Sequence, residues 1–544
     1  MRMHVWLALL GACGGSANSI GGGNSGASGD AGVGCLSSNE CPTGYVCNDF
    51  GACEMPGGSG GGSGSATPPE TEIELGAPIS AQRYVYVAMT AEDELARIDG
   101  RTLAVTATPV GNAPRDVATI PGTDGAVVLD SVNGTATIVR PSGAGDSIRV
   151  LATLQHLNRI DIDPTGSYAV AWFDLQKAIA ENGISGIGSF QDVSVIALAA
   201  GNEHAVNLTV GFRPRAVQFD AAGTHGYVIT QDGVSAIDLA NATSNGPAIV
   251  PPIPVADPSV SPDDLEVQVV ATGAYAAVRQ AGLSAIRIVD LASGAAREVP
   301  IGSPATDIDL APDGSRVYAV ARDAKQLAVI DVANATAQTV DLSDGTLGSI
   351  TVSRDGTRAL LYTNAELDER ITMVKLDDPA LPHVTWPLKK SVRAVGISPS
   401  ADTAIVLNAK VPGDPSTASS VDEYIDMSYG YTLVDLASGF GKLQLTPVDP
   451  GPFTYAPDGS KAYVGLDGGD SATATRALQI VATKTGVVST VALGSPPSAV
   501  GILPVAAQAF AAQRHPLGRV SFVALDTDAI RTVTGFDLNS HVVQ

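Results

Sequence analysis

The chain has 544 residues, and its 56 acidic against 32 basic side chains leave a net charge of −24. A field of that sign repels phosphate backbones and excludes nucleic acid as a partner class. The length suits one large domain or several small ones, and the apolar 44% is drawn mostly from Ala, Val, Ile and Leu, with aromatics at only 5%.

The first thirteen residues, MRMHVWLALLGAC, have a basic head at Arg2 and an apolar run from Val5 to Leu10. The run is too short to span a bilayer and suits an export signal with a small-residue cleavage site. Leu10-Gly11-Ala12-Cys13 resembles the lipobox of bacterial lipoproteins. The resemblance implies a signal peptide over 1–13, an acylated Cys13 as mature N-terminus, and a membrane held through that lipid anchor. Gly14, rather than Asp, implies the outer membrane, facing the surface or the periplasm.

Residues 14–34 are Gly, Ser, Asn and Ala with little to bury, a flexible linker. The other cysteines, Cys35, Cys41, Cys47 and Cys53, are each separated by five residues. Zinc modules favour closer pairs, and an exported chain meets an oxidising compartment. Two disulfides closing a small module over 35–53 are therefore expected, with three connectivities open. The Cys-Pro-x-Gly-Tyr-x-Cys run within it resembles small EGF-like or Dickkopf-like modules. A second Gly/Ser/Pro linker occupies 54–79. Its formal GxSxG at Gly57–Gly61 has no strand before it and no helix after it, so it is no nucleophile.

From residue 80 to 544 short strands recur at near-regular spacing. Residues 310–320 read LAPDGSRVYAV and 455–465 read YAPDGSKAYVG. Each is a strand, an Asp-Gly turn and a strand. Aligned on that phrase, a four-stranded unit begins near Pro114, Asn158, Pro214, Leu265, Pro304, Leu347, Ser391, Gly451 and Ser498. A leading unit at 84–111 lacks its own first strand. Asp99, Asp238, Asp290, Asp331 and Asp435 close the third strands, four of them in near-identical turns such as DLASG and DVANA. Asp there caps the connection through its own backbone. The unit resembles the YVTN-type β-propeller blade, related to lactonase-like and WD40-like propellers. That implies an all-β ring of nine or ten blades.

Strand parity in such a blade separates two faces. One carries only tight turns; the other carries the insertions at 173–192, 244–264, 408–431 and 467–476. Variable loops on a rigid rim are where binding residues concentrate. The third insertion holds Tyr424 and Tyr429, flat side chains suited to recognition. Arg115, Arg159, Arg215 and Arg393 precede or open four first strands. They are candidates for a ring that captures an anionic ligand by bidentate bonds, with ion pairs to acids such as Asp116 or Asp161 as the structural alternative. The pairs Asp161/Asp163 and Asp307/Asp309 are expected as hydrogen-bonded strand acids rather than catalytic ones. The seven histidines show no metal spacing. No catalytic residue, metal or cofactor is therefore assigned. The expectation is a binding scaffold for an anionic envelope saccharide or a protein. The alternative, implied by the propeller resemblance, is a hydrolase acting on a sugar lactone.

Overall fold

The computed structural model describes residues 46–47, 53–54 and 80–535, apart from 91, 144, 181–189, 470–473 and 516. The expected signal peptide, linkers, Cys13, Cys35 and Cys41 lie outside the described residues. Val46–Cys47 and Cys53–Glu54 pair as a short antiparallel ladder that sets Cys47 opposite Cys53.

Ten antiparallel sheets follow one another along the chain from residue 80. Eight have four strands in sequence order, the up-and-down blade that the repeat implied; the first and fourth have three. The inner strands of the second to tenth blades are Pro114–Thr119, Arg159–Ile162, Pro214–Phe219, Leu265–Val269, Asp307–Leu310, Ser349–Val352, Val392–Ile397, Pro450–Tyr455 and Pro497–Leu503. They match the nine expected repeat starts. Each strand alternates because one face packs on each neighbouring blade.

The ring closes. Every interface between consecutive blades holds its own hydrophobic cluster, from Tyr86, Leu95 and Val128 between the first and second to Tyr463, Ile480 and Val500 between the ninth and tenth. A further cluster joins Leu503, Phe510 and Phe522 of the tenth blade to Val85, Val87 and Ile98 of the first. At that seam the inner position of the first blade is marked, among the described residues, by Ser80, bridged to Val85. Its hydroxyl donates to the Ile502 carbonyl, and the Thr119 hydroxyl donates to its own carbonyl, each at 3.1 Å. The chain therefore enters the ring between the two inner strands that flank the seam.

Side chains stitch inner strands together where backbone ladders stop. The Asp116 carboxylate accepts from the Ile160 amide at 2.7 Å. Gln218 accepts from Val269, Asp307 from Ile350 and Asp309 from Val352, at 2.7 to 2.9 Å. Edge amides that would otherwise be orphaned are satisfied one blade over. The expectation for Asp307 and Asp309 as hydrogen-bonded acids holds on these contacts.

The turn face follows from the same chemistry. Asp313 accepts from the Ser315 amide and Asp458 from the Ser460 amide, with Gly314 and Gly459 at φ of 72° and 69°. Asp290, Asp331 and Asp435 accept from amides two or three residues on. Asp238 caps the short helix Leu239–Ala242 by accepting from Asn241.

One face assignment is corrected. The insertion expected at 244–264 does not lie wholly on the long-loop face. After the third strand of the fourth blade, Gly233–Asp238, the helix Leu239–Ala242 and the residues to 248 form the connection on the turn face. Ile249 and Ile253 then bridge to Thr209 and Val234. This run takes the fourth-strand place, so only 254–264 belongs to the opposite rim.

Candidate functional site

The rim opposite the turn face gathers the starts of the inner strands and the connections between second and third strands. Four described pieces of helix lie there: Leu175–Ala180, Pro262–Asp264, Pro415–Thr417 and Val421–Met427. Exposed apolar side chains sit there too, including Ile179, Phe212, Leu367, Val421 and Tyr424.

The four candidate arginines all open inner strands on this rim, in the second, third, fourth and eighth blades. They do not form an evenly spaced circle. Arg215 pairs with Asp263 and Arg393 with Asp449, each at 2.8 Å and each across to the next blade. Arg393 also donates to the Pro450 carbonyl at 3.0 Å. Arg159 stays within its blade: it pairs with Asp174 at 2.8 Å and lies over the Trp172 ring. The Arg115 side chain is exposed, and its carbonyl accepts from Lys177 at 3.4 Å. Tyr424 is exposed, whereas Tyr429 opens the strand Tyr429–Asp435 and lies under the Lys410 ammonium.

Arg159 and the Arg115 carbonyl border a buried charged cluster between the second and third blades. Its centre is Asp116, fully buried on the inner strand. Lys177, on the short helix of the first insertion, reaches Asp116 at 3.3 Å and donates to the Asn158 carbonyl at 2.8 Å. Asp174 accepts from the Lys177 amide at 3.1 Å, which caps that helix. Asp161 accepts from the Trp172 indole at 2.7 Å. Burial pushes the Asp116 carboxyl up to about 7, against the attraction of Lys177. Burial also raises Asp161, with Arg159 and the Trp172 hydrogen bond opposing it. Three carboxylates against two cations leave this pocket of charge short of neutral. An acid that titrates near 7 can hold or release a proton at physiological pH.

A second buried cation lies on the far side of the ring. Lys390, 1% exposed, sits in the connection into the eighth blade and donates to the Asp426 carbonyl at 2.6 Å. Burial pulls its ammonium down to about 8, with Asp426 and Glu369 opposing. Neither Lys177 nor Lys390 was singled out from the sequence. A lysine within an insertion or a blade connection reads as solvated until its neighbours are placed in space.

In the insertion at 467–476, Asp467 accepts from the Gly469 amide and pairs with Arg514 at 2.6 Å. Among the described residues no group of three His, Cys, Asp or Glu side chains could hold a metal ion.

No protein-family model matches the chain, and no curated protein matches it. Solved structures resemble it in chain path. A crystal structure of a eukaryotic initiation factor has 10% identity and a TM-score of 0.48, over 76% of this chain and 96% of that one. A dihydro-heme d1 dehydrogenase, NirN, has 14% identity and a TM-score of 0.40, over 68% and 72%. The Cps50 (Swd1) β-propeller domain of Myceliophteria thermophila has 11% identity and a TM-score of 0.31, over 62% and 97%. Identities this low concern the fold alone.

Proposed function

We propose that the protein is an exported lipoprotein, anchored at the outer membrane through Cys13, whose propeller binds a ligand or partner on its long-loop rim without transforming it. The observation that carries this reading is the segregation of structure around the ring. The turn face is built from repeated capped turns, with the fourth-blade helix its one long connection. The opposite rim carries the other insertions, their helices and a set of exposed apolar side chains. A rigid ring that spends its variability on one rim is organised for recognition.

Two ligand classes fit the rim, an anionic envelope saccharide and a protein. The arginines favour the first by type. An anion would have to displace Asp263 from Arg215 and Asp449 from Arg393. A thermal-shift screen of the intact protein against neutral and anionic saccharides tests this. Binding to the native state alone adds about 2.7 kcal/mol at a hundredfold excess over Kd. A salt-sensitive shift confined to anionic saccharides, lost in Arg115→Ala with Arg215→Ala, supports the arginine site. Equal behaviour of neutral and anionic sugars removes it. For the anchor, Cys13→Ser should move the protein from the detergent phase to the aqueous one.

The buried cluster favours a second reading, hydrolysis of a sugar lactone, because Asp116 and Asp161 offer raised carboxyls on the same rim. Lactone turnover by the intact protein, lost in Asp161→Asn at unchanged melting temperature, would establish that reading in place of the first.

A further inference from the structure

We infer that the cleft between the seventh and eighth blades is a docking surface for a cationic amphipathic segment of a partner protein, one that carries Lys or Arg beside aliphatic side chains. The inference rests on the reading of the long-loop rim as a binding platform and names the chemistry of one partner.

Two loops form the cleft. One joins the strands Arg358–Tyr362 and Arg370–Lys375; the other contains the helix Val421–Met427. They are drawn together from beneath. Leu388 donates its amide to the Glu369 carbonyl at 2.6 Å, and two residues on Lys390 donates to the Asp426 carbonyl, also at 2.6 Å. The buried ammonium thus fixes the helix against the neighbouring blade.

What this arrangement leaves on top is both apolar and negative. Val421 is 74% exposed, Leu367 65% and Tyr424 47%. Val421 and Tyr424 are three apart on the helix and share a face. Asp422 and Asp426, four apart, share another and act electrostatically on Glu369 across the cleft. Among the described residues no hydrogen bond or ion pair reaches the carboxylates of Glu369, Asp422 or Asp426. Neighbouring acids of the same loops behave differently: Asp368 is held by Arg370 at 2.9 Å, and Glu423 by the Ser419 amide and hydroxyl at 2.5 Å. Burial raises the Glu369 carboxyl, and Asp426 and Asp422 raise it further. Lys390, which is buried, and Lys389 oppose that rise, while Arg370 is taken up by Asp368 and Lys410 lies over the Tyr429 ring.

Three carboxylates that Lys390 and Lys389 offset only in part repel one another, and three exposed apolar side chains beside them cost hydration. A cation alone would relieve the first and an apolar segment alone the second. One segment carrying both relieves both, and the charge complementarity also steers its approach.

The test uses the full-length protein and a fluorescein-labelled peptide of alternating leucine and lysine pairs, followed by anisotropy at low and moderate salt. Expected is salt-sensitive binding. The same peptide with Glu for Lys should not bind, and an oligolysine without leucine should bind at least about tenfold more weakly. The triple variant Glu369→Gln, Asp422→Asn, Asp426→Asn should lose about tenfold, as should Leu367→Ser with Val421→Ser. A charge-matched control, Glu298→Gln, Asp323→Asn, Asp344→Asn, should bind as wild type. Melting temperatures check that each variant is folded. If oligolysine binds as tightly, or the control loses as much as the triple variant, only the diffuse field of an acidic protein is at work and the proposal is overturned. Absence of binding overturns it too. In either case a saccharide shift lost with the rim arginines would leave the platform reading standing, so the two failures are distinguishable.

Discussion

Asp116 and the rim arginines show how burial decides what a charge is worth. A carboxyl whose folded pKa is raised binds more protons in the native state than in the unfolded chain. Its contribution is fully present below the unfolded value near 4 and is lost as pH rises through about 7. Wild type should therefore lose stability relative to Asp116→Asn between those limits, by at most about 1.4 kcal/mol per pH unit. Urea unfolding of both proteins at pH 5 and pH 8 measures this, and parallel pH dependences would show that Lys177 keeps Asp116 ionised throughout. The arginines divide in the same way. Arg159 and Asp174 are buried side chains, 11% and 8% exposed, whereas Arg215 and Asp263 are 40% and 83% exposed. Arg159→Ala strands Asp174 and Asp161 and should cost about 3–5 kcal/mol. Arg215→Ala should cost no more than about 1 kcal/mol. Equal losses in denaturant melts would mean that burial is not what separates them. Neither contrast was legible in the sequence, where all four arginines occupy equivalent places and Asp116 reads as one of the acids that could pair with them.

At the scale of the element, the repeated turn was legible because its residues act locally. Asp caps the next amides, and Gly supplies the positive φ, so the phrase announces itself wherever it occurs. The cost of breaking it depends on what the next blade places nearby. A Cβ on Gly294, at φ +73, would meet only Ile253 at 3.6 Å, whereas one on Gly314, at φ +72, would meet the Ala271 amide nitrogen at 3.0 Å. Gly294→Ala should cost about 1–2 kcal/mol of backbone strain, and Gly314→Ala measurably more. Comparable melting temperatures for the two would place the whole effect in φ. The fourth blade shows where the pattern fails. Its outermost segment reads Val250-Pro251-Pro252-Ile253-Pro254. Proline has no amide to give a ladder, and isolated bridges at Ile249 and Ile253, with the Ser235 hydroxyl donating to the Val250 carbonyl at 2.9 Å, hold the run in place of one. Without an alternating strand to mark it, residues 244–253 read as part of the long-loop insertion, although 244–248 lie on the turn face and the rest takes the fourth-strand place. The first blade fails for a related reason: among the described residues its inner position is marked by Ser80 alone, too little for any periodicity.

On the scale of the molecule, one repeated unit becomes a ring because each blade buries its apolar faces only against its neighbours. The seam between the tenth and first blades has to do what the nine other interfaces do, without a continuous chain across it. Phe510 and Phe522 are 1% and 0% exposed at that seam. Phe510→Ala should cost about 3–5 kcal/mol, read as a lower denaturant midpoint with a single transition. A loss under about 1 kcal/mol would mean that the seam is not packed. The blade count was readable from sequence because the hairpin phrase and the closing Asp recur. Recognition was readable only as a choice of rim, since what distinguishes Asp422 and Asp426 from the capping acids is that, among the described residues, no donor reaches their carboxylates. The central claim is that this rim, and not the turn face, is the binding surface. Hydrogen–deuterium exchange of the intact protein, with and without the leucine–lysine peptide, tests it most directly. Slowed exchange is expected, confined to 363–369 and 421–427, with the turns at 311–315 and 456–460 unchanged. Protection of those turns, or of outer strands around the whole ring, would contradict it.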